Sequence, residues 1–313
     1  MLVFLARRIL QLIPVVLFVS FAIFMMLHLM PGDPARIMLG EHATTAELEI
    51  LREHLGLNNP WYIQYFHHFG RLLMGDWGTS IRTGRPVLVE IFDTRFFNTF
   101  QLAVMGTTLT AFLGLTMGII SAAAQRKKTL GTKILDNFLI LLSLGGLSMP
   151  NFWLGILLIW TFALNIDWLQ IAGWGTPNQM VLPVVMLGIS GSALIHRMTR
   201  NSLIEVLNQD YIRTAHAKGL SERVVIYKHA LRNALIPVVT VVGLQFGHLL
   251  AGAIVTETIF AINGLGRLVL DSIRMQDFPL AQGAILVISL IFVVVNCLVD
   301  ITYRLVNKRI DTQ

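Results

Sequence analysis

The sequence predicts an all-α integral membrane protein with six transmembrane helices and both termini in the cytoplasm. Of its 313 residues, 55% are hydrophobic and only 13% are charged, and the mean hydropathy is +0.67. Soluble domains carry about 25% charged residues. Six apolar stretches without Asp, Glu, Lys or Arg can each supply the roughly 20 residues that a membrane-crossing helix needs. This composition excludes a disordered chain, a disulfide-stapled secreted module and an ordinary cytosolic enzyme.

The predicted spans run along the whole chain. They cover residues 9–29, 96–125, 137–166, 168–196 (apolar from Met180), 233–256 and 278–299. A Gly- and Pro-containing turn at 172–178 separates the third span from the fourth. The predicted organisation is a cytoplasmic N-terminus (1–8), a first transmembrane helix (9–30), an extracytoplasmic segment (31–95), a five-helix transmembrane domain (96–305) with a cytoplasmic loop at 197–232, and a cytoplasmic tail (306–313).

The basic residues predict the orientation. With the N-terminus inside, 16 of the 24 Lys and Arg residues fall on the cytoplasmic side, as the positive-inside rule requires. The net charge of +6 therefore reflects topology and weak attraction to lipid, and it does not indicate nucleic-acid binding. Cys297 is the sole cysteine, so neither an internal disulfide nor a Cys-rich metal site can form.

The extracytoplasmic segment contains two amphipathic pieces. Thr44 and Glu47 form a T-x-x-E capping box at the start of the first, and Gly56 is its expected end. The second, at 61–73, is rich in aromatic residues. It is expected to lie on the membrane surface or over the mouth of a pathway, or simply to cover loop backbone.

The cytoplasmic loop has a patterned centre at 210–220. Asp210 is expected to cap a short helix, and Gly219 to end it in the left-handed conformation. The small side chains of Thr214 and Ala215 would let the surface of a partner protein approach the backbone closely. A solvated basic loop is the alternative that composition alone favours.

These residues resemble a loop of ABC importer permeases, in which the pattern E-A-A-x-x-x-G is followed by a helix and a Leu-Pro pair. Here RTA at 213–215, Gly219 and Ile236-Pro237 match it. Arg213 in place of Glu, and the long interval to the proline, are similar to the dipeptide/oligopeptide/nickel subfamily. Asn263 departs from the Pro that the family usually carries, but Asn-Gly also forms turns. Further motifs extend the resemblance along nearly the whole chain: PGDP at 31–34, GDWGTS at 75–80, SMP at 148–150, DYIRTA at 210–215, LRNA at 231–234 and GLG at 264–266.

The resemblance implies a type I ABC importer permease fold in a bacterial inner membrane. It implies half of a translocation pathway for peptides (di-, tri- or oligopeptides, or glutathione), with a nickel-chelate importer as the alternative. The implied partners are a second homologous permease, two ABC ATPase subunits, and a periplasmic or lipid-anchored substrate-binding protein. The residues implied to couple the pathway to the ATPase are Tyr211, Arg213, Thr214, Ala215, Lys218 and Gly219.

Other classes fit the sequence less well. The chain lacks the Walker A pattern G-x-x-x-x-G-K-[ST], so no cofactor is expected on it, and ATP and Mg would be used by partner subunits. An ion-coupled secondary transporter usually carries ionisable residues in mid-span, and these spans have none at their centres. A membrane enzyme is disfavoured because His67 and His68, adjacent on a helix, make a poor chelate.

Four polar or soft side chains are candidates for lining a pathway. Gln245 and His248, at i and i+3, share one face of the fifth span; they line the pathway or meet the second permease, or they form hydrogen bonds that hold the bundle together. Met149 and Asn151, on either side of Pro150, are the other two candidates.

Overall fold

The computed structural model describes residues 2–29, 34–40, 42–127, 129–251 and 253–306. Over these residues the chain is helical without β-strands, and an isolated antiparallel bridge joins Thr79 to Pro86. Residues 31–33 of the PGDP motif, and 307–313 of the predicted tail, lie outside the described residues. The helices are α1 Leu2–His28, α2 Pro34–Leu39, α3 Thr45–Leu55, α4 Trp61–Leu73, α5 Val87–Lys127, α6 Leu130–Ser148, α7 Asn151–Ala163, α8 Pro177–Leu207, α9 Asp210–Ala217, α10 Glu222–Leu250, α11 Ile254–Ile259, α12 Leu265–Arg274 and α13 Phe278–Val306.

Within the described residues, five helices are long and apolar enough to cross a membrane. They are α5, α6, α8, α10 and the part of α13 from Phe278 to Val299. In α1 the described apolar stretch, Ile13–Met25, is shorter. The all-helical membrane fold class is confirmed, whereas the count of six spans and the cytoplasmic placement of both termini stay predictions.

The third predicted span, 137–166, is wrong as a single helix. The chain breaks at Met149, whose backbone is extended (φ −84°, ψ 125°), so that α6 ends at Ser148 and α7 begins at Asn151. Pro150 is the physical reason, because a proline lacks an N–H and pushes the preceding residue out of the helical region.

Two further boundaries differ from the prediction. Helix α8 continues past His196 to Leu207, so that eleven residues of the predicted cytoplasmic loop are helical. Helix α10 begins at Glu222 and ends at Leu250, several residues before the predicted end at 256. Hydropathy marks where a chain leaves the apolar phase, and helices need not begin or end there.

The chain forms two compact units. The first comprises Met1–Asn98 and Asn263–Val293. In it the start of α5 packs with α12 and α13 around a buried apolar core of Val87, Ile91, Leu265, Leu268, Val269, Leu280, Ala284 and Val287. The predicted capping box of α3 is confirmed, since Thr44 and Glu47 bond reciprocally and Gly56 ends the helix at φ +68°.

Asp277 ties the loop at 78–86 to the start of α13. Its carboxylate is 2% exposed and accepts hydrogen bonds from the Ser80 hydroxyl, from the backbone N–H of Ile81 at 3.2 Å and from that of Leu280 at 3.4 Å. The last bond caps the helix. The Arg82 guanidinium also donates to the Met275 carbonyl, at 3.0 and 3.1 Å.

Replacing Asp277 with alanine is therefore expected to destabilise this unit by about 2–4 kcal/mol, because the cap is lost and buried donors are left without an acceptor. Thermal unfolding of the purified protein measures the loss. Asp271→Ala is the matched control, since its ion pair with Arg267 at 3.4 Å is about one-third exposed and contributes little. Equal unfolding temperatures for the two variants would contradict the assignment.

The second unit comprises Thr99–Ile262 and Val294–Gln313. Helices α5 and α8 approach closely in it, because a Cβ added at Gly114 would lie 2.6 Å from Ile195 Cβ, and one at Gly118 would lie 2.6 Å from Thr199 Cβ. Thr110 donates across the same contact to the Leu187 carbonyl at 3.0 Å. This contact presents the ends of α5 and α8 side by side to the segment that follows α8.

Candidate functional site

The patterned segment at 210–220 forms the short helix α9 and a left-handed end. Gln209, one residue before the predicted cap Asp210, occupies the N-cap position, and Asp210 lies in the first turn, where a carboxylate interacts favourably with the helix dipole. Gly219 has φ +77°, as predicted. Its N–H donates to the His216 carbonyl at 2.9 Å, and that of Leu220 donates to the Ala215 carbonyl at 3.4 Å. This pair of bonds is the Schellman motif.

One face of α9 is buried in the chain itself. Ile212 is 1% exposed and Ala215 is 7% exposed. Both lie in an apolar cluster with Ala122, Leu203, Leu207, Val225, Ile226, Ala230 and Ala234. The expectation that Ala215 presents a small side chain to a partner is therefore wrong as to its direction: the methyl group seats α9 against α8 and α10.

The other face of α9 is open. Tyr211 is 44% exposed, and Thr214, Lys218 and Gly219 are also exposed. Arg213 and Asp210 form an ion pair at 3.5 Å with side chains 78% and 95% exposed, which contributes little to stability. A Cβ added at Gly219 would meet nothing within 4 Å.

Apolar side chains that the sequence analysis did not select extend this surface. Leu220 is 37% exposed, Val224 39% and Tyr227 61%. Tyr227 lies one turn after Val224 in α10, and the Tyr211 hydroxyl accepts a hydrogen bond from Asn233 of the same helix at 2.8 Å. We call Tyr211, Arg213, Thr214, Lys218, Leu220, Val224 and Tyr227 the coupling surface. In the sequence, the large apolar residues between 220 and 227, interrupted by charges, could have indicated that this stretch belongs to the surface.

Helix α9 also contacts the end of α5. At the end of α5, Arg126 lies 2.7 Å from His216 of α9, Nη2 to Nε2. This contact joins α9 to α5, which itself packs closely against α8. Helix α9 thus contacts α5, α8 and α10, three helices that are long and apolar enough to cross a membrane.

A buried ion pair lies near the apolar cluster that holds α9. The Arg200 guanidinium of α8 binds the Asp136 carboxylate of α6 in a bidentate fashion, Nε to Oδ1 at 2.9 Å and Nη2 to Oδ2 at 2.7 Å. The Ser121 hydroxyl of α5 bonds to the same carboxylate and accepts from Arg200 Nε at 3.1 Å. The Asp136 side chain is 9% exposed and that of Arg200 18%. Arg200 was expected in a loop, and no local sequence pattern predicts its pairing with Asp136.

The four candidate pathway residues have different settings. Gln245 is half-buried on α10, and its amide nitrogen lies against Gly191 of α8. His248 is exposed on α10. Met149 packs against the core cluster around Leu102 and Met186, and Asn151 is exposed as the first residue of α7. Gln245 therefore contacts α8 across the helix interface, while the interhelical hydrogen bond and the lining role of all four residues stay predictions.

Among the described residues, no group of three or more His, Cys, Asp or Glu side chains is arranged to hold a metal ion. His67 is exposed and His68 is partly buried on α4. Burial lowers the pKa of His68, and the nearby Arg71 lowers it further.

Comparisons with known proteins give the family. The family described as "Binding-protein-dependent transport system inner membrane component" matches residues 114–312. The chain belongs to this family of ABC importer permeases. The corresponding family for the N-terminal part of such membrane components matches residues 1–108, so the two matches together cover nearly the whole permease.

Full-length relatives are similar to this permease throughout. A glutathione transport system permease protein from Pectobacterium atrosepticum is 43% identical over 310 residues, covering 99% of each chain. The corresponding protein from Escherichia coli K12 is 41% identical over 310 residues, with the same coverage. A dipeptide transport system permease protein from Alkalihalophilus pseudofirmus is 40% identical over 338 residues, again with 99% coverage of each.

The fold agrees with the family. An inward-facing structure of the MetNI methionine ABC transporter superposes on this permease with a TM-score of 0.59 at 15% sequence identity, over 70% of this chain and 98% of that one. At this identity the likeness concerns the fold alone. The permease fold predicted from the resemblance is thereby confirmed, and this chain is a multi-pass membrane protein.

Proposed function

We propose that this permease forms half of the pathway of an ATP-driven importer for short peptides, with glutathione and di-, tri- or oligopeptides as the cargo class. The names of the relatives support this cargo. A second homologous permease would complete the pathway, and a periplasmic or lipid-anchored binding protein would deliver the peptide in a bacterial inner membrane. Two separate ATPase subunits would use ATP and Mg, and this chain would bind no cofactor.

The arrangement of α9 carries the proposal. The helix is anchored in its own chain by Ile212 and Ala215, while the coupling surface is open to a partner. It lies between α8 and α10, both long enough to cross the membrane. When ATP closes the ATPase pair, a groove that grips the coupling surface would move α9 as a lever, and the two membrane helices would move with it.

The cargo is tested by the ATPase activity of the purified complex with its binding protein, against glutathione, di-, tri- and oligopeptides, and nickel chelates. Stimulation by one peptide class is the expected result. Stimulation by nickel chelates alone would identify the alternative cargo. Uptake that follows a proton gradient without any ATPase subunit would overturn the importer assignment.

Gly219→Val is expected to reduce peptide uptake several-fold while ATP hydrolysis continues. A β-branched residue is strained by about 1–2 kcal/mol at positive φ, so the end of α9 would unwind and the coupling surface would lose its shape. Gly219→Asn is the matched variant, because Asn tolerates this conformation. Since a Cβ at this position meets nothing within 4 Å, Asn should retain most uptake in proteoliposomes. Equal losses in both variants would contradict a conformational role and indicate steric exclusion by the partner.

A further inference from the structure

Helix α4 presents three distinct faces. At about 100° per residue, Tyr65, His68 and Leu72 share the face that packs against the rest of the unit. Tyr62, Phe66, Phe69 and Leu73 form a second, apolar face. Gln64, His67 and Arg71 form a polar face on the opposite side.

The packed face holds α4 firmly against α1. The Tyr65 hydroxyl lies 2.9 Å from Ser20 Oγ and donates to the Leu17 carbonyl at 3.3 Å. Its ring packs edge-on against Phe21, with centroids 5.4 Å apart, and against Phe24 at 5.5 Å. The orientation of α4 about its own axis is therefore fixed.

The polar face is occupied by partners from its own loops. Gln64 donates to the carbonyls of Leu57 and Asn59, at 3.0 and 2.7 Å. Arg71 binds Asp76 at 2.8 Å. The loops thus bond to Gln64 and Arg71 of the polar face, which stays partly exposed. Among the described residues, no such bonds are made on the second apolar face, whose side chains are apolar apart from the Tyr62 hydroxyl.

That apolar face is open in the chain. Tyr62 is 49% exposed, Phe66 70% and Leu73 75%, followed by Met74 at 87%. These four positions cover three turns of helix and its end. A soluble helix would turn such a stripe toward a core.

The depth of α4 decides what covers this face. His68 and Leu72 line a small cavity together with Gln282, Gly283 and Leu286 of α13. Residues Phe278–Val299 of α13 are long and apolar enough to cross a membrane, and Leu286 lies eight residues after the start of this stretch, about 12 Å at 1.5 Å per residue. One leaflet of the hydrocarbon core is roughly 15 Å thick, half of the whole. The packed side of α4 therefore lies beside the first turns of this apolar stretch, which fall within one leaflet when α13 spans the membrane.

We propose that α4 is an interfacial helix that inserts Tyr62, Phe66 and Leu73 into the lipid leaflet at which α13 begins. Aromatic side chains favour this zone, and the polar face, with its loops, points toward water. Burial lowers the pKa of His68, which packs beside this part of α13. Neighbouring α1 also exposes an aromatic side chain, Phe18 at 71%.

Lipid fits this face better than a protein partner. Protein interfaces carry about one hydrogen bond per 100–200 Å², and the exposed stripe offers only the Tyr62 hydroxyl. The proposal requires that α13 spans the membrane, and it does not depend on the cargo or on ATP coupling.

Site-directed spin labelling of the intact complex in vesicles of phosphatidylethanolamine and phosphatidylglycerol tests the proposal. In a Cys297→Ser background, Phe66→Cys and His67→Cys carry the label on adjacent residues about 100° apart, one on the apolar face and one on the polar face. Ile50→Cys, 70% exposed on α3, gives an aqueous reference. Collision rates with oxygen, which concentrates in lipid, and with a water-soluble nickel complex are measured for each label.

The expected result is that oxygen dominates at Phe66 by several-fold, while the nickel complex dominates at His67 and Ile50. Labels at Tyr62 and Leu73 should behave like that at Phe66, and they guard against a local effect of one substitution. Dominance of the nickel complex at Phe66 would place the face in water and overturn the proposal. Low collision rates with both reagents at Tyr62, Phe66 and Leu73 would show that a protein covers this face, and would also overturn the proposal.

Discussion

Replacing Arg200 with alanine is expected to destabilise the permease by about 3–5 kcal/mol, because the variant leaves a buried carboxylate without its cation. Asp136 is 7% exposed, and two of its contacts are the bidentate bonds from Arg200. Three helices meet at this carboxylate through Ser121, Asp136 and Arg200. Thermal unfolding of the purified complex measures the loss.

Two control variants test whether the loss of the ion pair is the cause. Arg197→Ala removes an exposed cation from the preceding turn of α8, so its unfolding temperature should stay close to that of the parent. The double variant Asp136→Leu/Arg200→Met replaces the pair with apolar side chains, and it should recover much of the stability lost in Arg200→Ala. A double variant as unstable as the single one would contradict an ion pair as the cause.

The apolar spans were the most predictable part of the fold. The second and sixth spans, predicted at 96–125 and 278–299, correspond closely to the apolar parts of α5 and α13. A membrane span appears in the sequence as a continuous run of apolar residues bounded by charged residues. It can therefore be recognised from neighbouring residues alone, without the tertiary structure. The left-handed end of α9 at Gly219 was equally local, since few other residues adopt that conformation without strain.

Other features depended on tertiary structure. Arg200 and Asp136 are 64 residues apart in the chain, and nothing in either neighbourhood encodes the other. The break at Met149 lies within a continuous apolar run, so hydropathy does not indicate it. Only Pro150 indicated that the helix could end there. For Ala215 a signal existed: Ile212 and Ala215 are three residues apart on a short helix, and that spacing indicates a buried face. The expectation for Ala215 rested on the small size of its side chain, which does not indicate the direction in which the side chain points.

Gly114→Leu is expected to have an effect as large as that of Arg200→Ala, and to prevent normal assembly of the permease. Even a Cβ at Gly114 would lie 2.6 Å from Ile195 Cβ and 2.9 Å from the Ser192 carbonyl oxygen. A backbone oxygen of α8 cannot rotate away, so α5 and α8 would have to separate. Overpacking typically destabilises by about 1–3 kcal/mol and occasionally more. Gly114→Ala is expected within that range, and the larger Gly114→Leu above it.

Gly145→Leu provides the control for size and hydrophobicity. Gly145 is also helical, on α6, but a Cβ there would meet nothing within 4 Å, so leucine should be accommodated without loss. Size-exclusion profiles and unfolding temperatures of both variants in detergent separate the two cases. If the complex with Gly114→Leu were as monodisperse and as stable as that with Gly145→Leu, the close approach of α5 and α8 would be contradicted. The same contact places Ser121 and Arg200 within reach of one carboxylate, so its loss should also abolish the difference between Arg200→Ala and Arg197→Ala.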